Sequence, residues 1–252
     1  RNVFNGRAYA EVKFTDWMRL TTNYATDYTN RYDLTYQNNI IGDGAPSGRS
    51  SKDYQTNVGT TFNQLLNLNK QVKDHSFEGL IGHENYKLRE DNLSGQRQNQ
   101  VASGNYELAN FTTTTSLSSQ VDNITIESYF ANFKYDYRGK YFFTLGGRTD
   151  GNSRFADSVR WGRFWSASGA WVLTKEGFMS GIDWINFLKI RSSYGTTGND
   201  AGIGYYPYQT LYAIGRNNGL NPGVLQNTSL GNGGLTWESN NQLDIGVDFT
   251  IL

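Results

Sequence analysis

The connections between the strand-like segments of this chain alternate in length. Arg7–Phe14 and Met18–Gln37 are separated only by Thr15-Asp16-Trp17, whereas the next connection, Asn38–Ser51, is long and rich in Gly, Ser and Asn. Lys70–Asp74 is short, Arg89–Asn123 long, Arg138-Gly139-Lys140 short, Asp150–Gly162 longer and Gly198–Leu235 very long. Thr174–Asn186 is of middling length and reads as a turn on the short-turn side, with room for a single helical turn. An array of hairpins with its short turns at one end and its long loops at the other is the wiring of an all-β, antiparallel transmembrane β-barrel, with short periplasmic turns and long extracellular loops.

The strands themselves carry the second signal. In Asn241–Leu252, Leu243, Ile245, Val247, Phe249 and Ile251 take one face, and Gln242, Asp244, Gly246, Asp248 and Thr250 the other. Period-two alternation of this kind means one apolar face and one wet face. The split recurs upstream. Tyr129, Ala131, Phe133, Tyr135 and Tyr137 oppose Ser128, Asn132, Lys134 and Asp136; Leu188, Ile190 and Tyr194 oppose Lys189, Arg191 and Ser193. It also appears in Arg163–Leu173 and Thr56–Leu68, while Ser76–Leu88 is less regular and its faces are left unassigned. The pattern gives about nine strands, several long enough to cross a tilted bilayer in the ~9–11 residues that this requires. The expected lipid-facing residues are Tyr129, Phe133, Tyr135, Leu188, Ile190, Leu243, Ile245, Val247, Phe249 and Ile251. Trp17, Tyr137, Tyr141, Trp171 and Trp184 lie near the short connections, where aromatic girdles form.

Composition agrees with this reading. The 252 residues include 28 Gly, 17 Tyr and 14 Phe but only 3 Pro and no Cys, which suits long paired strands. Mean hydropathy is −0.62, too polar for helical spans. A barrel escapes that test because only every second residue meets lipid. Net charge is zero and no basic stretch stands out, so no nucleic-acid partner is expected.

Candidates for chemistry are weak. Asp150, Asn152 and Asp157 lack the spacing of a calcium loop and read as a solvated turn. His75 and His83 would lie roughly 26 Å apart along a strand and cannot share a metal. There is no Gly-x-Ser-x-Gly elbow. Gly231-Asn-Gly-Gly234 lacks the Lys-Ser/Thr ending of a phosphate loop. No cofactor and no catalytic residue is expected. The loop aromatics Trp161, Tyr205, Tyr206, Tyr208 and Tyr212 offer ring faces to a sugar or peptide, or pack on one another to order a long loop.

Four segments carry a resemblance. They are RTDGNSRF at Arg148–Phe155 leading to WGRFWSASGAW at Trp161–Trp171, LKIRSSYGTTGN at Leu188–Asn199, YYPYQTLY at Tyr205–Tyr212, and LTWE at Leu235–Glu238 with LDIGVDF at Leu243–Phe249. In this order they resemble the barrel region of the SusC/RagA family of TonB-dependent outer-membrane transporters, mainly over Tyr129–Leu252. Trp165 stands where the family often has Pro. The resemblance implies a larger barrel of about 22 strands around a plug. No plug domain or TonB box is recognised in 1–252, so the chain is expected to be one part of such a barrel domain. It further implies the outer membrane of a Bacteroidetes-type bacterium, multi-pass, surrounded by membrane lipid and lipopolysaccharide. The implied work is TonB-dependent import of oligosaccharides or peptides beneath a SusD-like surface lipoprotein, and not enzymatic. The alternative from composition and alternation alone is a soluble all-β carbohydrate-binding module, which would hide its apolar faces under a second layer.

Overall fold

The computed structural model describes residues 1–218, 221–226 and 230–251. Leu252, the expected end of the last strand, and positions 219–220 and 227–229 of the expected Gly198–Leu235 loop lie outside the described residues. The elements are β1 (Asn2–Thr15), β2 (Met18–Gln37), β3 (Arg49–Val72), β4 (His75–Gln100), β5 (Phe111–Tyr137), β6 (Tyr141–Asn152), β7 (Trp161–Val172), β8 (Ile185–Asn199), β9 (Tyr212–Asn218), β10 (Asn221–Gln226) and β11 (Glu238–Ile251). Nine of them form one antiparallel sheet in the order β1-β2-β3-β4-β5-β6-β7-β8-β11, and β9 and β10 pair as a separate hairpin. Sequential strands pair from β1 to β8, and β8 then pairs with β11 past the β9–β10 hairpin, the neighbour-to-neighbour order of a barrel wall.

The long connections are shorter than their polarity suggested. The expected loop Arg89–Asn123 is mostly strand: β4 runs to Gln100 and β5 starts at Phe111. A polar side chain does not end a strand whose backbone groups are paired with a neighbour. Gly198–Leu235 likewise contains the β9–β10 hairpin. The middling connection holds two single 3-10 turns, Leu173–Lys175 and Gly177–Met179, where one helical turn was expected.

The short turns are set by local chemistry. Arg138 and Gly139 both have positive φ (58° and 59°), and the Lys140 amide donates to the Tyr137 carbonyl at 2.9 Å. Two successive left-handed residues make the hairpin turn that matches strand twist. The Gly139 amide donates to Asp136 at 2.6 Å, and the Arg138 guanidinium donates twice to Asp74 in the neighbouring turn at 2.9 and 2.6 Å.

By contact the chain divides into two compact units, Arg1–Ala8 with Tyr24–Thr61 and Tyr86–Ile124, and Tyr9–Asn23 with Phe62–Asn85 and Thr125–Leu252. In the second, pairing registers fix the faces. Tyr135, Phe143, Gly169, Ser192 and Ile245 lie in one row, and Phe133, Leu145, Ala167, Tyr194 and Leu243 in the next. The face so defined holds the expected lipid-facing residues Tyr129, Phe133, Tyr135, Leu188, Ile190, Leu243, Ile245, Val247 and Phe249, while Ile251 lies past a register shift and pairs with Ile185. It is also the exposed face. Leu145 is 43% exposed, Leu243 62% and Phe249 65%, and no second layer covers them among the described residues. The polar face is the more covered one: Ser128, Asp150 and Asn152 are buried. Fully buried apolar side chains are few among the described residues, namely Phe111, Phe155 and Val172. A soluble domain buries its apolar atoms; this sheet leaves a whole apolar face exposed.

Candidate functional site

The polar face of β5–β8 and β11 carries the candidate site. Its rows run Asp136–Phe142–Ala170–Arg191–Gly246, Lys134–Thr144–Ser168–Ser193–Asp244 and Asn132–Gly146–Ser166–Gly195–Gln242. Asn132, Gly146, Ser166, Ser168, Ser193, Gly195, Gln242 and Asp244 of these rows line an open groove of about 660 Å³, and Phe142, Thr144, Ala170 and Arg191 line a second of about 350 Å³. Small hydroxyls and amides dominate its floor, with Arg191 and Asp248 ion-paired at 3.3 Å below it. Such a surface holds water and makes many weak polar contacts without a single tight one.

Three phenylalanines also lie on this face, which the alternation had reserved for polar residues. Phe130, Phe142 and Phe164 share it with Arg148, Lys189 and Asp150. Glycines seat two of them. A β-carbon on Gly82 would come 2.2 Å from the Phe130 ring, and one on Gly198 2.1 Å from the Phe164 ring. Cations cover two: the Arg148 guanidinium lies 5.3 Å from the Phe130 centroid and the Lys189 ammonium 5.8 Å from that of Phe142. Arg148 is held by two bonds from Nε to Asp150 (2.7 and 2.8 Å) and one from Nη2 to Ser128 (3.0 Å).

At the long-connection end of this unit, two of the segments that carry the resemblance meet. Asn152, fully buried, donates to Asp200 at 2.5 Å, and Arg154 bonds the same carboxylate. Phe155, 1% exposed, packs 5.4 Å from Trp237, whose other ring contact is Phe164 at 5.6 Å. The Trp237 indole donates to the Arg160 carbonyl at 2.8 Å, and Thr236 to that of Val159 at 2.8 Å. The motif residues thus tie the segment after β8 to the β6–β7 connection. Asp150, Asn152 and Asp157 are all engaged by protein groups, Asp157 by Arg160, and no metal-binding cluster occurs among the described residues.

The expected loop aromatics separate. Tyr205 and Tyr206 are in ring contact at 6.3 Å, and Gln209 donates to the Tyr208 hydroxyl at 3.0 Å. Tyr212 opens β9 and is exposed. Trp161, expected in a loop beside them, instead opens β7 and packs 6.2 Å from Tyr129 on the apolar face. The two histidines are apart and satisfied: His75 bonds the Tyr135 hydroxyl at 2.8 Å, and His83 lies between Gln64 (2.6 Å) and Glu127.

At the short-turn end, aromatics stack in a row, Tyr137 on Tyr141 (6.3 Å) and Tyr141 on Trp171 (6.2 Å). Glu176 closes this row. It accepts from the Tyr141 hydroxyl (2.5 Å), Lys140 (2.9 Å) and the Trp171 indole (3.0 Å). Those donors, Tyr141 first, hold its carboxyl down to about 2. Trp17, by contrast, has Lys70 over its ring at 6.0 Å, and Trp184 is exposed.

No family model matches the chain. TonB-dependent receptor P3 of Formosa agariphila is 29% identical over 261 residues, covering 99% of this chain and 25% of that protein. TonB-dependent receptor SusC of Bacteroides thetaiotaomicron is 32% identical over 133 residues, covering 51% of this chain and 13% of that one. Among solved structures, the RagAB peptide transporter superposes with a TM-score of 0.90 at 22% identity over 98% of this chain and 28% of its own. The RagAB peptide importer in its open-open state gives 0.87 at 24% identity, over 99% and 28%. The chain spans a quarter or so of the length of the relatives matched along its whole extent. In sequence the chain is similar to TonB-dependent receptors, SusC among them, and in fold it matches the barrel wall of the RagAB transporter.

Proposed function

We propose that residues 1–252 form part of the barrel domain of an outer-membrane importer, with the apolar face against lipid and the polar groove along the water path. The single observation that carries this is the inverted face distribution: Tyr141, Phe143 and Leu145 exposed on one side of β6, Thr144, Asp150 and Asn152 covered on the other. The spacing of the aromatics supports it. Ten residues of β6 separate the Tyr141–Trp171 row from the Gly151–Trp161 row. That is ~34 Å along the strand and ~26 Å after a tilt of ~40°, close to the height of a barrel's apolar band. Trp161 and Tyr129 would then line the upper edge of the band.

The whole protein, on this reading, imports oligosaccharides or peptides by a TonB-dependent mechanism, under a SusD-like surface lipoprotein. Its plug would fill the lumen and take the pull of TonB. Residues in the groove would contact cargo in passing, and Tyr205, Tyr206, Tyr208 and Tyr212 would meet cargo or the lipoprotein. The absence of cysteine makes the test direct. Single cysteines at Leu145, Leu243 and Val247 of the full protein should resist a charged maleimide in intact membranes, whereas cysteines at Thr144, Ser193 and Asp244 should react. Reaction at both sets, or extraction of the protein without detergent, would reject the proposal.

A further inference from the structure

The polar face of β5–β8 and β11 keeps its charges occupied, with two exceptions. Lys134 pairs with Glu78 at 3.5 Å, Arg148 with Asp150 at 2.7 Å and Arg191 with Asp248 at 3.3 Å. The Asp136 carboxylate accepts from the Gly139 amide at 2.6 Å, and that of Glu238 from Asn199 at 2.9 Å. Lys189 is the first exception. Asp248, opposite it in register, is taken by Arg191, and no carboxylate among the described residues pairs with it. Its ammonium lies 5.8 Å over the Phe142 ring instead. Asp244 is the second. No cation pairs with it among the described residues, and it accepts only a long bond from Gln242 at 3.3 Å. Both exceptions line one hollow of about 350 Å³. The hydroxyls of Thr144, Ser168 and Ser193 share the row of Asp244, and Phe142 and Ala170 lie in the next row toward Lys189. Arg191 stays low beside them. It lies over Gly246, where a β-carbon would come 2.8 Å from its Cζ.

We propose that this hollow takes a dipolar stretch of peptide cargo, with a carboxylate at Lys189 and an ammonium at Asp244. The inference deepens the importer reading above and rests on it: of the two cargo classes it names the peptides. Three features select this occupant. One unspent charge of each sign faces the same space, so a ligand of a single sign satisfies one and leaves the other, whereas a dipolar ligand meets both. The hydroxyls between offer donors and acceptors to a peptide amide, and Phe142 with Ala170 offers apolar surface to a small side chain. A neutral oligosaccharide can use the hydroxyls, but it would strip water from two ions and pair neither. Both ions stay in reach of water, so each contact is weak. Weak holding suits a wall that cargo must leave again.

The test is calorimetric titration of the full-length protein in detergent with three probes: tri-alanine with free ends, the same peptide acetylated and amidated, and maltotriose. Tri-alanine should bind about tenfold more tightly than either of the others, and the margin should shrink in high salt. K189Q and D244N should each weaken tri-alanine binding about threefold to fivefold, and K189R should keep it. K175Q, in the β7–β8 connection and outside the hollow, should leave it unchanged. The heat-modifiable band verifies that each variant is folded; should one lose it, the comparison of probes on the wild type decides alone. Maltotriose or the blocked peptide binding as tightly as tri-alanine overturns the proposal. So do unchanged binding in both K189Q and D244N, and binding of none of the probes, which would mean that the plug covers the hollow. Failure of the importer reading is seen separately, in the maleimide pattern of the two faces, which can hold while the preference for charged peptide ends fails.

Discussion

Strands β6, β7 and β8 contain 12, 12 and 15 residues, whereas β3, β4 and β5 contain 24, 26 and 27. The short set is cut to the thickness of a bilayer and stops where its polar loops knot together through Asn152, Arg154, Phe155 and Trp237. The long set, like β2, runs on past that length, and there Tyr32 of β2 and Tyr54 of β3 meet on one face while Asp53 of β3 accepts from Ser94 of β4 on the other. The contrast teaches that strand length in this sheet is set by what the side chains do beyond the membrane. Hydrophobic thickness alone sets only the minimum.

The largest effect expected from breaking this contrast is at the middle of the short set. Leu145→Arg should cost about 2–4 kcal/mol of barrel stability, as a cation on the lipid face does near the midplane. Thr144→Arg, one residue away on the water face, should cost less than about 0.5 kcal/mol. Denaturant titration of the heat-modifiable form measures both, and equal costs would dissolve the distinction between faces. Next in size is Gly198→Val. Its side chain would enter the Phe164 ring, for a loss of about 1–3 kcal/mol, while Gly147→Ala, with open space around it, should be neutral. Trp237→Ala should act locally. Limited proteolysis should cut 200–236 at least several-fold faster, with the unfolding midpoint nearly unchanged.

The smallest effect concerns pH. The Glu176 carboxyl is held down to about 2, so its contribution is complete above the ordinary Glu range and is lost as pH falls from about 4.5 toward 2. Fluorescence of Trp171 in the wild type should change across that window, and in Glu176→Gln it should stay flat.

Much of the short set was legible in the sequence, because alternation such as Leu243–Asp244–Ile245 leaves one assignment of faces. The tyrosines of β2 were legible as strand residues, but the outer ends of β4 and β5 were not. REDNLSGQRQNQ at Arg89–Gln100 and TTTTSLSSQVDN at Thr112–Asn123 read as loop, since polar composition normally marks unpaired backbone. Here adjacent strands supply the hydrogen bonds, and composition does not report them. Phe130, Phe142 and Phe164 were missed for a related reason. A period-two argument assigns an out-of-phase aromatic to noise unless its glycine seat on another strand is known, as at Gly82 and Gly198. The link from Arg154 to Asp200 and from Phe155 to Trp237 was invisible because it joins residues distant in the chain. Its two ends were nonetheless flagged as separate segments of the resemblance.

A ring carbon that sits where a glycine's β-carbon would be fills the volume of the side chain that the glycine lacks. At Gly82 and Gly198 the bulk on the polar face is therefore lent by Phe130 and Phe164 from other strands. Replacing either glycine would drive a ring off its seat and raise the surface at that level, so the relief of this face is encoded as much in residues that have no side chain as in those that do.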